Sequence, residues 1–429
     1  METEIPENIS TLKDIYPDDH TYLTFLKKVF RHQFRKSWFR RITPSHIEEL
    51  STFEKAYAWN TDLLATLINT TEWSVFSSDP SVSIMRSYIE HDMTEAIQPL
   101  YFYYMEKVFS NAFEKKELFN IWVEIIGEKD PILDAHIIFI AYTILQKIGL
   151  WDDLKLRVNT YGNEKEITKY TEQILDFYEN KKHMLSPETL EKFEIDPFSV
   201  FHSKDEDEQI LAKSMLPITK FLKKDSKAHY ASFKEYLDLL EIPYEEDHTL
   251  FLDENYYSHT MWVIEDAHGE VLIKWWRHDK LSERLIWEKV VHPACGFSLN
   301  AEALISLLKE KGISIRNKDK IDLYFAQLGD EAKKVILPLS LDARAAGINT
   351  MVSLWTPSIK EQMIKSQRIG ASFVVIVGIM EARSGVFQVR DIEAGTQEEV
   401  KKEELIEYII WKIGKENLDF YAPERDLLR

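Results

Sequence analysis

An α+β fold is what this sequence predicts, and three observations carry the prediction. Strand patterns near residues 121–126 return only at 261–276, beyond a stretch of helical spacing, so one sheet is interrupted by a helical insertion. From residue 321 onward strand and helix alternate in short order, the rhythm of a separate α/β domain. The chain has 429 residues and is 45% hydrophobic, enough to bury a large core shared by two or three domains.

The first element runs from His20 to Trp38. Tyr22, Phe25, Leu26, Val29, Phe30 and Phe34 recur there at helical spacing, with Lys27, Lys28, Arg31, Arg35 and Lys36 interleaved. Its basic side is either a solvated face, the commoner explanation of such a charge run, or a contact for RNA. Phe39 to Ile42 then reads as a strand that meets Pro44. The strand Ile121 to Ile126 is followed by a long helix, Asp134 to Ile148, that stops before Gly149.

Between Thr168 and Leu240 the chain is rich in Lys, Glu, Asp and helix-forming apolar residues, and LSPETLEKF supplies a serine N-cap with proline at the first helical position. Strands resume at Met261 to Glu265 and Val271 to Trp276, and HPACGFSLN leads into a helix from Ala301 to Lys311. The last part reads as strand Ile321 to Gln327, helix Asp330 to Ala346, strand Ile348 to Leu354, helix Ser358 to Ile369 and strand Ser372 to Val377. A strand at Val386 to Ile392 and a helix at Glu403 to Ile413 close it, with Gly347 and Gly370 placed just past helices, where a left-handed C-cap is wanted. The expected organisation is a core in residues 1–165 and 246–318, an insertion in 166–245 and a C-terminal domain in 319–429.

Composition excludes several function classes. A formal charge of -19, from 72 acidic against 53 basic side chains, opposes non-specific adhesion to nucleic acid or anionic lipid, although it leaves room for a local basic face. Glycine, 13 of 429 residues, has roughly half its usual share. The sequence has no Walker loop, dinucleotide fingerprint, HExxH or paired CxxC, and its 13 histidines are scattered, so neither a metal nor a cofactor is expected. Cys295, the single cysteine, is read as a small buried residue beside Gly296. Apolar runs such as Phe373 to Met380 are too short to span a bilayer, and METEIPENIS is unlike a signal or transit peptide, so a cytoplasmic location is expected.

Several stretches, taken in order, resemble the histidyl-tRNA synthetases, a class II aminoacyl-tRNA synthetase family. They are PDDHTYLTFLKKVFRHQFRKSWFRRIT, MRSYIEHDM, FYYMEKVF, VEIIGEKDPILDAHI, SKDEDEQ, the pair Tyr256 and Tyr257, PACGF, and LGDEAKKV through IKEQMIKSQRIGASFVVIVG. The resemblance implies an antiparallel sheet flanked by helices, a helical insertion and an α/β anticodon-binding domain. It also implies a homodimer, with the interface proline of the first class motif one place early as Pro44.

Joining an amino acid to ATP builds negative charge on the phosphates, which fixed cations must neutralise. In the resembled family arginines do this, and their positions have changed here. After FYYMEKVF, Ser110 and Ala112 stand for an arginine and a glutamate, and the loop that follows, FEKKELFN, is about four residues shorter. Asn300, Ala301, Glu302 and Ala303 replace Gly-Leu-Glu-Arg, and Leu252 replaces the catalytic arginine ahead of Asp253, Glu254 and Asn255. Losing one such contact costs about 2.7 to 4 kcal/mol in the transition state, so the comparison implies no catalytic residues and a silent enzyme.

The histidine side of the pocket is less altered. Asp79 and Ser81 stand for the pair that holds the substrate amino group, Ser77 for a preceding arginine and Asn120 for a glutamine, while Glu124, Tyr256 and Tyr257 match. These are either a vestigial ligand site or polar groups kept for their hydrogen bonds. The Gly-Gly-Gly-Arg-Tyr-Asp-Gly pattern that lines the histidine ring becomes Lys274, Trp275, Trp276, Arg277, His278, Asp279 and Lys280. Two indoles in place of glycines predict a filled pocket, or else an exposed aromatic surface for a partner. Arg277 is grouped with the pocket and is also the candidate for a cation moved toward the phosphates. Trp355 falls where a loop of the anticodon domain is shortened, which bears on anticodon reading.

Three functions follow. The first is a catalytically inactive paralogue that binds RNA or another protein. The second is a histidine-sensing regulator similar to the one that accompanies short-form ATP phosphoribosyltransferase, which typically lacks the C-terminal domain. The third is a divergent but working histidine-tRNA ligase.

Overall fold

Apolar residues at helical spacing near the start of the chain become α1 (Pro17–Lys36). Pro17 opens the helix, Asp18 and Asp19 lie in its first turn, Arg35 and Lys36 lie in its last, and Leu23, Leu26, Phe30 and Phe34 form the buried stripe. In this computed structural model the described residues are 15–57, 74–109, 117–251, 257–286, 291–315, 321–353, 358–415 and 418. They fall into two units, Met1–Ile315 and Arg316–Arg429.

After α1 the first unit continues with β1 (Arg40–Arg41), β2 (Ile47–Glu49), α2 (Leu50–Ala56), β3 (Ser74–Phe76) and α3 (Pro80–Glu90). The strands β4 (Leu100–Phe109) and β5 (Glu117–Ile126) pair antiparallel, followed by α4 (Ile132–Lys147) and β6 (Lys155–Thr160). The helical stretch comprises α5 (Glu164–Tyr178), α6 (Pro187–Ile195), α7 (Glu206–Lys213) and α8 (Lys224–Leu239). Asn163 and Glu166 form a capping box on α5, and Ser186 caps α6 as its sequence predicts. The sheet then resumes with β7 (Glu245–Glu246), β8 (Ser258–Glu265), β9 (Val271–Arg277), α9 (Leu281–Ile286), β10 (Ala294–Asn300) and α10 (Ala301–Glu310).

These strands build one eight-stranded sheet in the order β1-β4-β5-β10-β9-β8-β6-β7. Its inner pairings are antiparallel, and only the edge strands β1 and β7 run parallel to their neighbours. Because side chains alternate along a strand, the sheet has two faces. One face carries Ile121, Val123 and Ile125 of β5 and Phe297 and Leu299 of β10, packed beneath α1, α4, α8 and α10. The other carries Trp122 and Ile126, packed against α2, α3 and α9. The α5–α7 region has its own aromatic core around Tyr170, Tyr178, Phe193 and Phe251, whereas α8 joins the cover of the first face through Tyr230, Phe233 and Leu237.

The second unit contains β11 (Leu323–Gln327), α11 (Asp330–Ala345), β12 (Thr350–Val352), α12 (Ile359–Arg368), β13 (Phe373–Val377), α13 (Ile379–Ser384), β14 (Val386–Asp391), β15 (Gln397–Lys401) and α14 (Leu405–Ile413). Its sheet order is β12-β11-β13-β14-β15, with the first three strands parallel and the last two antiparallel. Gly347 and Gly370 take the left-handed backbone expected of them, with φ of 79° and 68°. The sequence gives no sign of β15, because only Val400 of that strand is buried and no alternation shows. Among the described residues no helix is long and apolar enough to cross a membrane.

Candidate functional site

The pocket residues assemble on the sheet face that carries Trp122. Asp79 has extended backbone and caps α3, its Oδ1 accepting the Ser81 amide at 2.9 Å. That cap turns the Ser81 hydroxyl toward β5, where it donates to Glu124 Oε2 at 2.8 Å. The Trp122 indole N–H reaches both Ser81 Oγ, at 3.1 Å, and the same carboxylate oxygen, at 3.3 Å. Asn120, on the same strand and face, donates to Ser298 Oγ at 3.4 Å, and its Oδ1 has no partner among the described residues. Asp79, Ser81, Asn120 and Glu124 are thus brought together, all buried.

The other oxygen of Glu124 meets a group that reading the sequence did not single out. His278 Nε2 lies 2.5 Å from Glu124 Oε1, and both side chains are fully buried. A buried carboxylate needs donors or a cation, and here a hydroxyl, an indole and an imidazole from the chain itself surround it. His278 is held in place by its backbone, whose amide donates to the Ala294 carbonyl at 2.9 Å. The signal for it was in the spacing: His278 follows Trp276 by two residues and so shares its face. Gly296 makes the arrangement possible. A Cβ there would meet Glu124 Oε2 at 2.5 Å and the Val123 carbonyl at 2.6 Å.

Trp276 closes the site, edge-on to Trp122 with ring centroids 5.3 Å apart and stacked on Tyr257 at 5.2 Å. Trp275 does not join it, contrary to the grouping of the two indoles as pocket fillers. Strand alternation turns it to the opposite face, where it stacks on Trp262 at 5.7 Å beneath the covering helices. Both indoles are buried, which removes the alternative of an exposed aromatic surface.

Arg277 also departs from its expected place among the pocket residues and from a role as a relocated phosphate cation. It is fully buried on the helix-covered side, where its guanidinium donates to Asp134 Oδ2 of α4 at 3.1 Å and to the Glu128 carbonyl at 2.8 Å, with Asp279 Oδ1 at 3.4 Å. Burial pushes the Asp134 carboxyl up to about 6 despite the attraction of Arg277. Burial lowers the neighbouring His229 to about 3, with the His259 ring stacked on it at 4.8 Å. Cys295, beside Arg277 in register, is buried as expected, and burial raises its thiol well above the usual range.

Of the positions where the resemblance places lost cations, Ala303 is described. It lies in the first turn of α10, buried in the helix-covered core, with its amide donating to Asn300 Oδ1 at 3.1 Å. Ser110, Ala112, Leu252, Tyr256 and Trp355 lie outside the described residues.

With this geometry in hand, comparison with known proteins is informative. The family model described as Histidyl-tRNA synthetase matches residues 11–304, and the one described as Anticodon binding domain matches residues 301–411. The histidine–tRNA ligase of Halothermothrix orenii is 26% identical over 406 residues, covering 92% of this chain and 96% of that protein. The Staphylococcus aureus ligase is 27% identical over 414 residues, covering 92% and 97%. The crystal structure of apo S. aureus histidyl-tRNA synthetase superposes with a TM-score of 0.75 at 26% identity, covering 95% of this chain and 99% of that one. A Bacillus halodurans structure titled ATP phosphoribosyltransferase regulatory subunit/histidyl-tRNA synthetase shares the fold, with a TM-score of 0.64 at 16% identity over 88% of this chain and 99% of that one.

Proposed function

This chain belongs to the histidyl-tRNA synthetase family, and from that premise we propose that it keeps the scaffold without the chemistry and acts as a non-catalytic RNA-binding protein. The observation that carries the reading is the contact between His278 Nε2 and Glu124 Oε1 at 2.5 Å. The chain presents its own imidazole to the carboxylate that the family resemblance assigns to the histidine pocket, and Trp276 fills the space beside it. A free histidine would have to displace both, and ordering the ligand would add to the cost.

The phosphate side supports the same reading. Serine, leucine and alanine at positions 110, 252 and 303 carry no charge to offset that of a triphosphate. RNA is the proposed partner because residues 301–411 match an anticodon-binding domain. The protein acts in this reading as a homodimer in the cytoplasm, as the family resemblance implies. A histidine-sensing role is opposed by the His278 contact, since a sensor needs its pocket open to the ligand.

Histidine-dependent ATP–pyrophosphate exchange, run beside an active synthetase, tests the loss of chemistry. No exchange above background is expected, and exchange at even a hundredth of the control rate overturns it. Titration with unmodified histidine tRNA at physiological salt tests the RNA part, which lack of saturable binding removes.

A further inference from the structure

We infer that the open edge of β15, with Trp411 of α14 beside it, docks an extended basic segment of a partner protein, which adds to the five-stranded sheet of the second unit as a further strand. The inference goes beyond the proposed function, which gives the second unit RNA, and does not depend on the silence of the pocket.

β15 is the last strand in its sheet order and pairs on one side, with β14. The Asp391 amide donates to the Thr396 carbonyl at 2.9 Å, and the Lys402 amide to the Gly385 carbonyl at 2.8 Å. Hydrogen-bonded and non-bonded pairs alternate along antiparallel strands. Glu398 and Val400 therefore also turn their main chain toward β14, while Gln397, Glu399 and Lys401 turn theirs outward. Among the described residues no hydrogen bond reaches the outward N–H groups of these three or the carbonyls of Gln397 and Glu399. All residues of the strand except Val400 are exposed. Such a row of main-chain groups is a template for another strand. The bulge or proline that commonly blunts such an edge is absent from QEEVK, which keeps five pairs in unbroken register with β14.

Charge selects the occupant. Residues 391–415 carry seven carboxylates against four lysines, whereas residues 316–390 carry eleven basic against seven acidic side chains. The open edge thus lies at the acidic end of this unit, which opposes a chain of phosphates and favours a strand bearing lysine or arginine. A second copy of β15 fits poorly, because antiparallel pairing centred on Glu399 sets that carboxylate against its own copy.

Trp411 supplies an anchor. It is 73% exposed, and the Tyr408 ring lies 6.2 Å away. Lys412 Nζ lies 5.3 Å from the indole while it binds Glu398 of β15 at 3.0 Å, and that ion pair holds this turn of α14 beside the strand. An exposed indole next to a strand edge offers both area and a cation-binding face to an incoming basic side chain.

The test is fluorescence anisotropy of the full chain with a fluorescein-labelled octapeptide of alternating lysine and valine, with its glutamate counterpart and with labelled oligouridine. Hydrogen exchange read by mass spectrometry accompanies each. The lysine peptide should bind saturably, and it alone should slow exchange across residues 396–402. Glu399→Pro deletes an outward N–H and spares the ladder to β14, so it should weaken binding roughly 10-fold without lowering the melting temperature. Glu399→Gln keeps the N–H and loses the charge, and should weaken binding by roughly 2- to 5-fold. Trp411→Ala should weaken it by roughly 5- to 30-fold.

Absence of saturable binding by the lysine peptide, unchanged exchange across β15, or equal binding by the parent chain and the proline and alanine variants would overturn the inference. Protection of β15 by oligouridine would make the edge an RNA contact, and concentration-dependent protection in the chain alone would make it a contact between copies; either overturns it. Should Glu399→Pro unfold, the exchange pattern of the parent chain and Trp411→Ala still decide. Pyrophosphate exchange and the tRNA titration of the parent chain test the proposed function separately from all these outcomes.

Discussion

The two faces of the eight-stranded sheet are built on different principles, and the adjacent tryptophans of β9 mark the division. Trp275 belongs to an apolar layer closed by four helices, interrupted by the buried cluster of Arg277, Asp134 and Asp279. Trp276 belongs to a face whose centre is polar, where Ser81 and Trp122 donate to Glu124 and the His278 ring lies against its other oxygen. The helix-covered face gives the fold its stability by excluding water. The other gathers polar side chains around Glu124, with Trp276 packed beside them. A sheet permits this separation because neighbouring residues on one strand share no contacts.

The comparison breaks or sharpens under substitution. Trp275→Ala should cost about 3 to 5 kcal/mol in urea unfolding, since the helices above cannot collapse into the void. Trp276→Ala should cost measurably less, because Tyr257 beside it is half-buried and water can enter. Equal losses would show the two faces to be equivalent in packing. Gly296→Ala should cost about 1 to 3 kcal/mol, as its methyl would press on Glu124 and on the Val123 carbonyl.

Removing the internal imidazole separates the faces further. His278→Gly leaves Glu124 beside an empty, ring-sized space, so added imidazole should raise the melting temperature of this variant and leave the parent chain unchanged. At ten times its dissociation constant the gain is about 1.4 kcal/mol. No rescue would mean that the neighbouring side chains close over the gap.

The smallest effect is on pH dependence. His229 is depressed to about 3 in the folded chain, so the unfolded chain binds the extra proton between there and about 6.5. Its contribution is therefore present above pH 6.5 and lost as pH falls toward 3. Asp134 acts in the opposite sense, because a carboxyl raised to about 6 makes stability fall as pH rises from 3.8 to 6. The stability difference between the parent chain and His229→Gln isolates the histidine, and should change by at most about 1.4 kcal/mol per pH unit within that window. A pH-independent difference would refute the buried neutral imidazole.

Much of the fold was legible because it is written in local patterns. The stripe of α1, the Ser186 cap and the glycines that end α11 and α12 each need only a few neighbouring residues to declare themselves. β15 escaped because its one buried residue leaves no period to detect, and α13 because six residues give less than two turns. In the candidate site, Asp79, Ser81, Asn120 and Glu124 were legible as a group through the family resemblance, and the structure brings them together.

What the sequence determined by itself is the order of its strongly patterned elements, the family likeness and the uncharged residues at positions 110, 252 and 303. What only the tertiary structure decided is direction: that Trp275 and Arg277 turn toward the helices, that Trp276 turns toward the pocket, and that His278 reaches Glu124. Spacing along a chain records which residues alternate, but the register between strands far apart in sequence decides what each one meets. That register is set by the burial of the whole sheet and by no residue alone.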